Sequence, residues 1–260
     1  MYNQELRPQK KVILCEDGTN TLFSSEFNEP YHSTKDGALH ESLEKHVKPA
    51  LMIKKDKSSL VILDICFGLG YNSLATLYYV KKHNIKTKIE ILSPEFDDQL
   101  IASLMTFDYP DEFKNLTPII QKLSQNFYYE DAQFKIDILR GDARVTLPKI
   151  KKKIDIVYQD AFSPTQNPLL WTKEFFQDIS HISKEDTILT TYSTAASIRL
   201  GLYENAFYIY IHYGEKSRYS TIASRTKLDL FEYVDMELKK VRNPIAQSFR
   251  DKDFICKIKN

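Results

Sequence analysis

The chain has 260 residues, 36 basic against 35 acidic for a formal net charge of +1, which gives no support for a protein that coats nucleic acid by bulk electrostatics and makes any RNA contact local. Its 42% hydrophobic and 27% charged residues suffice for one large core with a small appendage. No apolar run approaches the roughly 20 residues that span a bilayer, and Met1 to Pro8 lack the apolar block of a secretory signal, so a cytoplasmic protein with no membrane partner is expected. Cys15, Cys66 and Cys256 are too scattered for a disulfide framework or a zinc site, so free thiols and no metal are expected.

Val12 to Leu14 and Thr21 to Phe23, on either side of Asp17-Gly18, predict a β-hairpin covering part of the main sheet. Asp36-Gly37 marks a turn, and Ala38, Leu39, Leu43 and Val47 share one helical face, with Tyr31, His32 and Ser33 in the loop before it. That loop reads either as a helix initiator or as part of a site. The central stretch is Val61 to Leu74: a β-branched run into Asp64, a tight segment with Gly68 and Gly70, then Leu74, Leu77 and Tyr78 on one helical face. A strand, glycine turn and helix in this order bring backbone N–H groups and a helix N-terminus close to a ligand, although two glycines alone also fit an ordinary turn.

Lys88 to Leu92 predicts a second strand ending before Ser93-Pro94-Glu95. An acid beyond the second strand of a nucleotide-binding unit can accept hydrogen bonds from ribose hydroxyls; alternatively Glu95, Asp97 and Asp98 favour the next helix N-terminus. Asp97 to Tyr129 reads as largely helical, broken at Tyr109-Pro110 and Thr117-Pro118. Phe134 to Leu139 alternates as a strand before Arg140-Gly141-Asp142-Ala143, and Ile154 to Tyr158 runs into Gln159-Asp160-Ala161-Phe162-Ser163-Pro164. In a parallel sheet Asp64, Glu95, Asp142 and Asp160 gather at the carboxyl edge, where open α/β folds bind ligands.

Pro168 to Ile179 predicts a helix capped by Thr172; Thr187 to Tyr192 a further strand leading through Ser193 and Thr194 into a helix that ends at Gly201; and Phe207 to His212 with Tyr219 to Ser224 a closing hairpin. Lys54, Lys55 and Lys57, like Lys151 to Lys153, precede strands and read as solvated ends at the far edge. Lys216 and Arg218, in the hairpin turn, return to the carboxyl edge. The whole predicts an α/β, Rossmann-like fold with a seven-stranded, mostly parallel sheet, a terminal antiparallel hairpin and a small N-terminal β-hairpin. Residues 1–50 would form the N-terminal hairpin and helix, 51–226 the main domain and 227–260 a tail packed on it.

Asp64 to Asn72 (D-I-C-F-G-L-G-Y-N) resembles the cofactor loop of the MnmC-type tRNA methyltransferases, and Asp160 to Phe176 (D-A-F-S-P-T-Q-N-P-L-L-W-T-K-E-F-F) resembles their substrate-site signature. Thr191 to Leu202 is similar to the stretch that follows, and the N-terminal E-D-G-T-N-T-L, Y-H-S and G-A-L-H-E-S resemble stand-alone members. The likeness covers roughly Asp17 to Ser224, and Arg250-Asp251 is somewhat like the family's ending. It implies a class I S-adenosyl-L-methionine-dependent methyltransferase acting on the aminomethyl nitrogen of 5-aminomethyl-(2-thio)uridine at the tRNA wobble position, with the anticodon stem-loop as partner. Many relatives carry a fused FAD-dependent oxidase. This chain shows no second glycine fingerprint, so transfer alone, without FAD, is expected.

In that frame Asp64, Phe67, Gly68, Gly70 and Asn72 form the cofactor turn, Glu95 holds the ribose, and Asp142 with Ala143 meets the adenine. Asp160 orients the acceptor amine and takes its proton. Ser163 and Pro164 line the acceptor site, Phe162 or Tyr31 stacks on the uracil, and Lys216 and Arg218 grip phosphates. One departure is Lys184-Glu185-Asp186, where relatives often have a Pro-Gly-Gly turn. A spermidine-synthase-like aminopropyl transferase is the rival reading, since it shares the sheet and an acidic motif after the fourth strand. A non-catalytic RNA-binding protein on the same fold is the third.

Overall fold

The computed structural model describes residues 10–255; Cys256 lies outside them. The chain opens with β1 (Lys10–Leu14), β2 (Asn20–Ser24) and β3 (Glu29–Pro30), a small antiparallel sheet in that order. A helical stretch follows, α1 (Ala38–Glu41), a π-helical segment Ser42–Val47, and α2 (Lys48–Ile53). The α/β core then runs β4 (Ser59–Ile65), α3 (Tyr71–Lys82), β5 (Lys88–Glu95), α4 (Asp98–Ser103), α5 (Thr117–Asn126), β6 (Tyr128–Glu130), β7 (Phe134–Arg140), α6 (Ala143–Thr146) and β8 (Ile154–Gln159). It continues through α7 (Lys173–Ile182), β9 (Ser183–Thr191), α8 (Ala196–Tyr203), β10 (Tyr208–His212), β11 (Ser220–Ser224) and β12 (Glu232–Tyr233), then α9 (Met236–Arg242) and α10 (Lys252–Ile255).

Among the described residues the large sheet has nine strands in the order β12-β10-β11-β9-β8-β4-β5-β7-β6. Those from β9 to β7 are parallel, and β11, β10, β12 and β6 run antiparallel to their neighbours. The seven strands expected from sequence are all present, and the additional pair, β6 and β12, are edge strands of three and two residues, too short to show a period in the sequence. From β4 the chain winds out through β5 and β7, then returns to β8 and β9 on the other side. The switch point, where open α/β sheets form their ligand crevice, therefore lies between the carboxyl ends of β4 and β8.

Alternation along β4 divides the interior: Leu60 and Ile62 face a core with Leu74, Leu77 and Ile91, while Leu63 and Ile65 face one with Trp171, Phe175, Phe176 and Ile198. Helix α3 is buried on most sides because the Ser42–Val47 segment covers its outer face. The N-terminal sheet sits over the start of α3, where the Tyr71 hydroxyl donates to the Asn20 carbonyl at 2.8 Å. At the far end of the chain the Asp251 carboxylate accepts hydrogen bonds from Arg144 and Thr172, which ties the tail to the start of α7.

Several boundaries differ from the sequence reading. Strand β5 continues through Ser93 and Pro94 to Glu95, all paired with β7. Proline is tolerated there because β4 pairs with β5 only as far as Leu92, leaving no partner for the missing N–H. Thr117-Pro118 starts α5 instead of interrupting a helix, the usual place for proline in a first turn. Lys184, Glu185 and Asp186 belong to β9, as a bulge between the Ile154–Ser183 and Ile156–Ile188 pairs. Lys54 is not a solvated end: it is 4% exposed, with Nζ 3.0 Å from the Asp186 carboxylate.

Candidate active site

After β4 the chain reverses through Cys66 (φ +67°), Gly68 (φ +56°) and Gly70 (φ +74°). A Cβ on Gly68 would lie 3.3 Å from the Tyr31 ring, and one on Gly70 2.7 Å from the tip of the Phe67 ring, so the backbone conformation favours glycine at both and a side chain at either would press on its neighbour. The Gly68 N–H donates to Glu95 Oε2 and the Asp97 N–H to Oε1, each at 2.9 Å. These bonds fix a buried carboxylate at the end of β5; burial pushes it up from its ordinary range, and the Gly68 N–H, then the Lys10 charge, work against that shift.

Beneath the turn, the Asp64 carboxylate accepts from Ser73 Oγ at 2.7 Å and from Asn72 Nδ2 at 3.4 Å. Burial pushes Asp64 up to about 7. The Asn72 amide also donates to Asp160 Oδ2 at 2.8 Å, linking the ends of β4 and β8, while its Oδ1 is buried with no partner among the described residues. Asp160 Oδ1 lies 3.4 Å from His46 Nε2. Burial alone would raise Asp160, but His46, then His32 and the Asn72 amide, hold it below the usual carboxylate value.

The segment after Asp160 is locked by its own motif. The Trp171 indole N–H donates to the Phe162 carbonyl at 2.7 Å, Gln159 Nε2 to the Leu170 carbonyl at 2.8 Å, and the Tyr192 hydroxyl to the Ala161 carbonyl at 3.0 Å. From β3, Glu29 accepts the Ser163 N–H at 2.9 Å and also its hydroxyl. Phe162 stacks on Phe27 with ring centroids 4.3 Å apart, and Tyr31 meets it edge-on at 4.8 Å.

Two cavities meet at this wall. A cleft of about 560 Å³ has Glu29, Glu41 and Asp160 among its walls, with the exposed Lys35 and Arg218 also lining it. A narrow one of about 40 Å³ is bordered by Phe67, Gly68, Asn72, Glu95 and Asn167. Tyr31, His32, Asp160 and Phe162 belong to both. Within the cleft Lys45 is neutralised by Asp36 at 2.7 Å and Glu41 at 2.8 Å, and Glu41 also accepts the Ser33 N–H at 2.7 Å.

Of the residues singled out in the sequence, Tyr31, Phe67, Gly68, Asn72, Glu95, Asp160, Phe162, Ser163 and Arg218 line these cavities. Asp64 and Gly70 stand behind the narrow one. Asp142, Ala143, Pro164 and Lys216 border neither. Asp142 caps α6, accepting the Arg144 N–H at 2.8 Å, and Lys216 is exposed at φ +50° in the hairpin turn. Sequence reasoning passed over His46, Glu29, Phe27, Lys35, and the pair Glu41 and Lys45. The last two carried a signal, an i, i+4 charge pair bordering an apolar helix face.

A parallel sheet with its switch point beside a glycine turn and a strand-end aspartate defines a Rossmann-like, class I S-adenosyl-L-methionine-dependent methyltransferase. Residues 109–225 match the model of a family described as S-adenosyl-L-methionine-dependent methyltransferase. The structure of MnmC2 from Aquifex aeolicus superposes with a TM-score of 0.82 and 30% identity, covering 95% of this chain and 80% of that one. The tRNA 5-methylaminomethyl-2-thiouridine biosynthesis bifunctional protein MnmC of Ralstonia nicotianae is 27% identical over 72% of this chain and 30% of its own length. An uncharacterised protein of Methanocaldococcus jannaschii is 32% identical over 79% of this chain and 56% of its own. The chain thus spans about a third of the bifunctional relative and just over half of the archaeal one. It belongs to the MnmC-type methyltransferase family, whose methyl donor is S-adenosyl-L-methionine.

Proposed function

We propose that this protein methylates the aminomethyl nitrogen of 5-aminomethyl-(2-thio)uridine at the wobble position of cytoplasmic tRNA, with the anticodon stem-loop held at the cleft. The observation that carries this reading is Asp160 in the wall common to both cavities. A group there reaches a donor on one side and an acceptor on the other.

The groups around the narrow cavity suit the cofactor, although at about 40 Å³ the space itself would have to widen to admit one. Glu95 has a second lone pair on each oxygen for ribose hydroxyls, the Asn72 Oδ1 is an unused buried acceptor, and Gly68 and Gly70 keep the turn free of side chains. Asp142 and Ala143, further along the same sheet edge, would meet the adenine. Bound S-adenosyl-L-methionine supplies a methyl group on a positively charged sulfur. Asp160 would orient the neutral amine about 3 to 3.5 Å from that carbon and accept the proton released as the N–C bond forms. Tyr31 or Phe162 would take the uracil. Phe27 already covers one face of Phe162.

The acceptor cleft has the Asp160 carboxylate in its wall, with exposed cations Lys35 and Arg218 that form no ion pair with a described residue. That polarity suits an amine on a base flanked by phosphates. Aminopropyl transfer to a polyamine needs free carboxylates, whereas Glu29 is engaged by Ser163 and Glu41 by Lys45 and the Ser33 N–H. The test is transfer from labelled S-adenosyl-L-methionine to tRNA from cells lacking the gene, followed by nucleoside mass analysis. Gain of 5-methylaminomethyl uridines with loss of the aminomethyl precursor supports the reading; label on no tRNA overturns it. Asp160→Asn should lower kcat by about 10²- to 10⁴-fold while cofactor affinity holds; undiminished turnover would remove Asp160 from the chemistry.

A further inference from the structure

The helical stretch over α3 is not uniformly α-helical. Between Ser42 and Val47 it widens, and the Lys48 N–H closes the segment on the Leu43 carbonyl, five residues back. Such turns shift side chains off the α-helical faces and recur at functional sites. Here the segment carries His46. The ring is wholly buried with its edge toward Tyr158, centroids 5.5 Å apart, Nδ1 2.9 Å from Thr190 Oγ1, and Nε2 3.4 Å from Asp160 Oδ1.

His46 borders neither cavity, so it touches neither acceptor nor cofactor, and its Nε2 has no hydrogen-bond partner among the described residues. A buried polar atom without a partner calls for a reason. Asp160 supplies one: Asn72 satisfies Oδ2, and His46 Nε2 lies 3.4 Å from Oδ1. These two atoms already lie within ion-pair distance, with no ligand needed to bring them together.

We infer that His46 is a positioning residue for the transfer, its Nε2–H holding the Asp160 carboxylate toward the acceptor and Thr190 fixing the tautomer by donating its hydroxyl hydrogen to Nδ1. This rests on the reading of Asp160 above. In the reaction the amine lone pair forms the N–C bond, the C–S bond breaks with its electron pair left on sulfur, and the ammonium so formed gives a proton to Asp160. His46 exchanges no proton; it keeps Asp160 an anion until that moment. Charged or titratable groups also facing His46 are Asp64 at the end of β4, His32 from the loop before α1 and His212 on β10, with Glu44 and Lys45 on its own segment.

The test follows the Asp160 carboxyl carbon by NMR in isotopically labelled, ligand-free protein, alongside the pH profile of kcat. In His46→Leu the carboxyl midpoint and the acid limb of kcat should both move up by about one pH unit, as expected when a hydrogen bond to a charged group is lost, with KM for tRNA unchanged. His46→Gln, whose amide can donate from nearly the same place, should restore most of both. Thr190→Val keeps the ring but frees its tautomer and should shift in the same direction, which serves if His46→Leu does not fold. A carboxyl midpoint equal to the wild type's in His46→Leu, or in Thr190→Val where only that variant folds, overturns the inference. The titration is read without turnover, so failure of the tRNA assay alone would count against the proposed function and leave this link to be decided by the NMR shift.

Discussion

Asp64 is 1% exposed, and burial outweighs the Ser73 and Asn72 hydrogen bonds that favour its anion, so its carboxyl is pushed up to about 7. In the unfolded chain it titrates near about 3.9. Between these values the folded protein binds more protons than the unfolded one. Stability from this group is therefore greatest below about pH 4, falls as pH rises, and levels off above about 7. Asp64→Asn has no such titration. Its unfolding free energy relative to wild type should rise, the variant gaining stability against wild type, by on the order of 3 kcal/mol between pH 4 and pH 8, measured by urea denaturation. A difference that does not change with pH would mean that Asp64 is ionised in the fold without penalty.

The same residues show what sequence can and cannot disclose at this scale. Asp64, Glu95 and Asp160 are legible because each closes or follows a strand whose period is visible, and a parallel sheet brings strand ends to one edge. Glu29 and His46 are not. Glu29 reaches Ser163 across 134 positions and His46 reaches Thr190 across 144, and no local pattern announces contacts of that range.

At the level of elements, β3 is only two residues long, yet it holds the Asp160 loop through Glu29. Both polar hydrogens of Ser163 are committed to that carboxylate, so under the proposed function Ser163 would serve the acceptor site by fixing its wall. Hydrogen bonds to a charged group contribute about 1.5 to 3 kcal/mol when buried, less here because Glu29 is partly exposed. Glu29→Gln should therefore cost about 1 kcal/mol of stability, raise KM for tRNA more than it lowers kcat, and speed amide hydrogen exchange over residues 161–167. Exchange there at the wild-type rate would sink the latch. Element types were largely readable from periodicity, while ends were not: whether Pro94 is paired, or Lys184 to Asp186 bulge, depends on where the neighbouring strand stops.

For the molecule as a whole, a net charge of +1 leaves little long-range field to steer a polyanion, so under the proposed function affinity for RNA would come from a few placed cations. Most basic side chains near the far edge are already used: Lys54 and Lys57 by Asp186, Lys152 by Glu90, and Lys153 by the His181 carbonyl. Lys35 and Arg218 instead line the larger cleft, the first beside the N-terminal sheet and the second in the terminal hairpin. That hairpin is held by the π-helical segment, since the Glu215 N–H donates to Glu44 Oε2 at 2.9 Å and a Cβ on Gly214 would lie 3.0 Å from Glu44 Cβ. If each cation takes one phosphate, Lys35→Gln and Arg218→Gln should each flatten the plot of log affinity for tRNA against log salt by about 0.7 to 0.9, and the double variant by about twice that. Lys152→Gln, at the opposite edge, should leave the slope alone. The free 5-aminomethyluridine nucleoside has no phosphate, so wild type and double variant should methylate it at equal rates. An unchanged salt slope combined with slower nucleoside methylation would move both cations from the RNA backbone to the base.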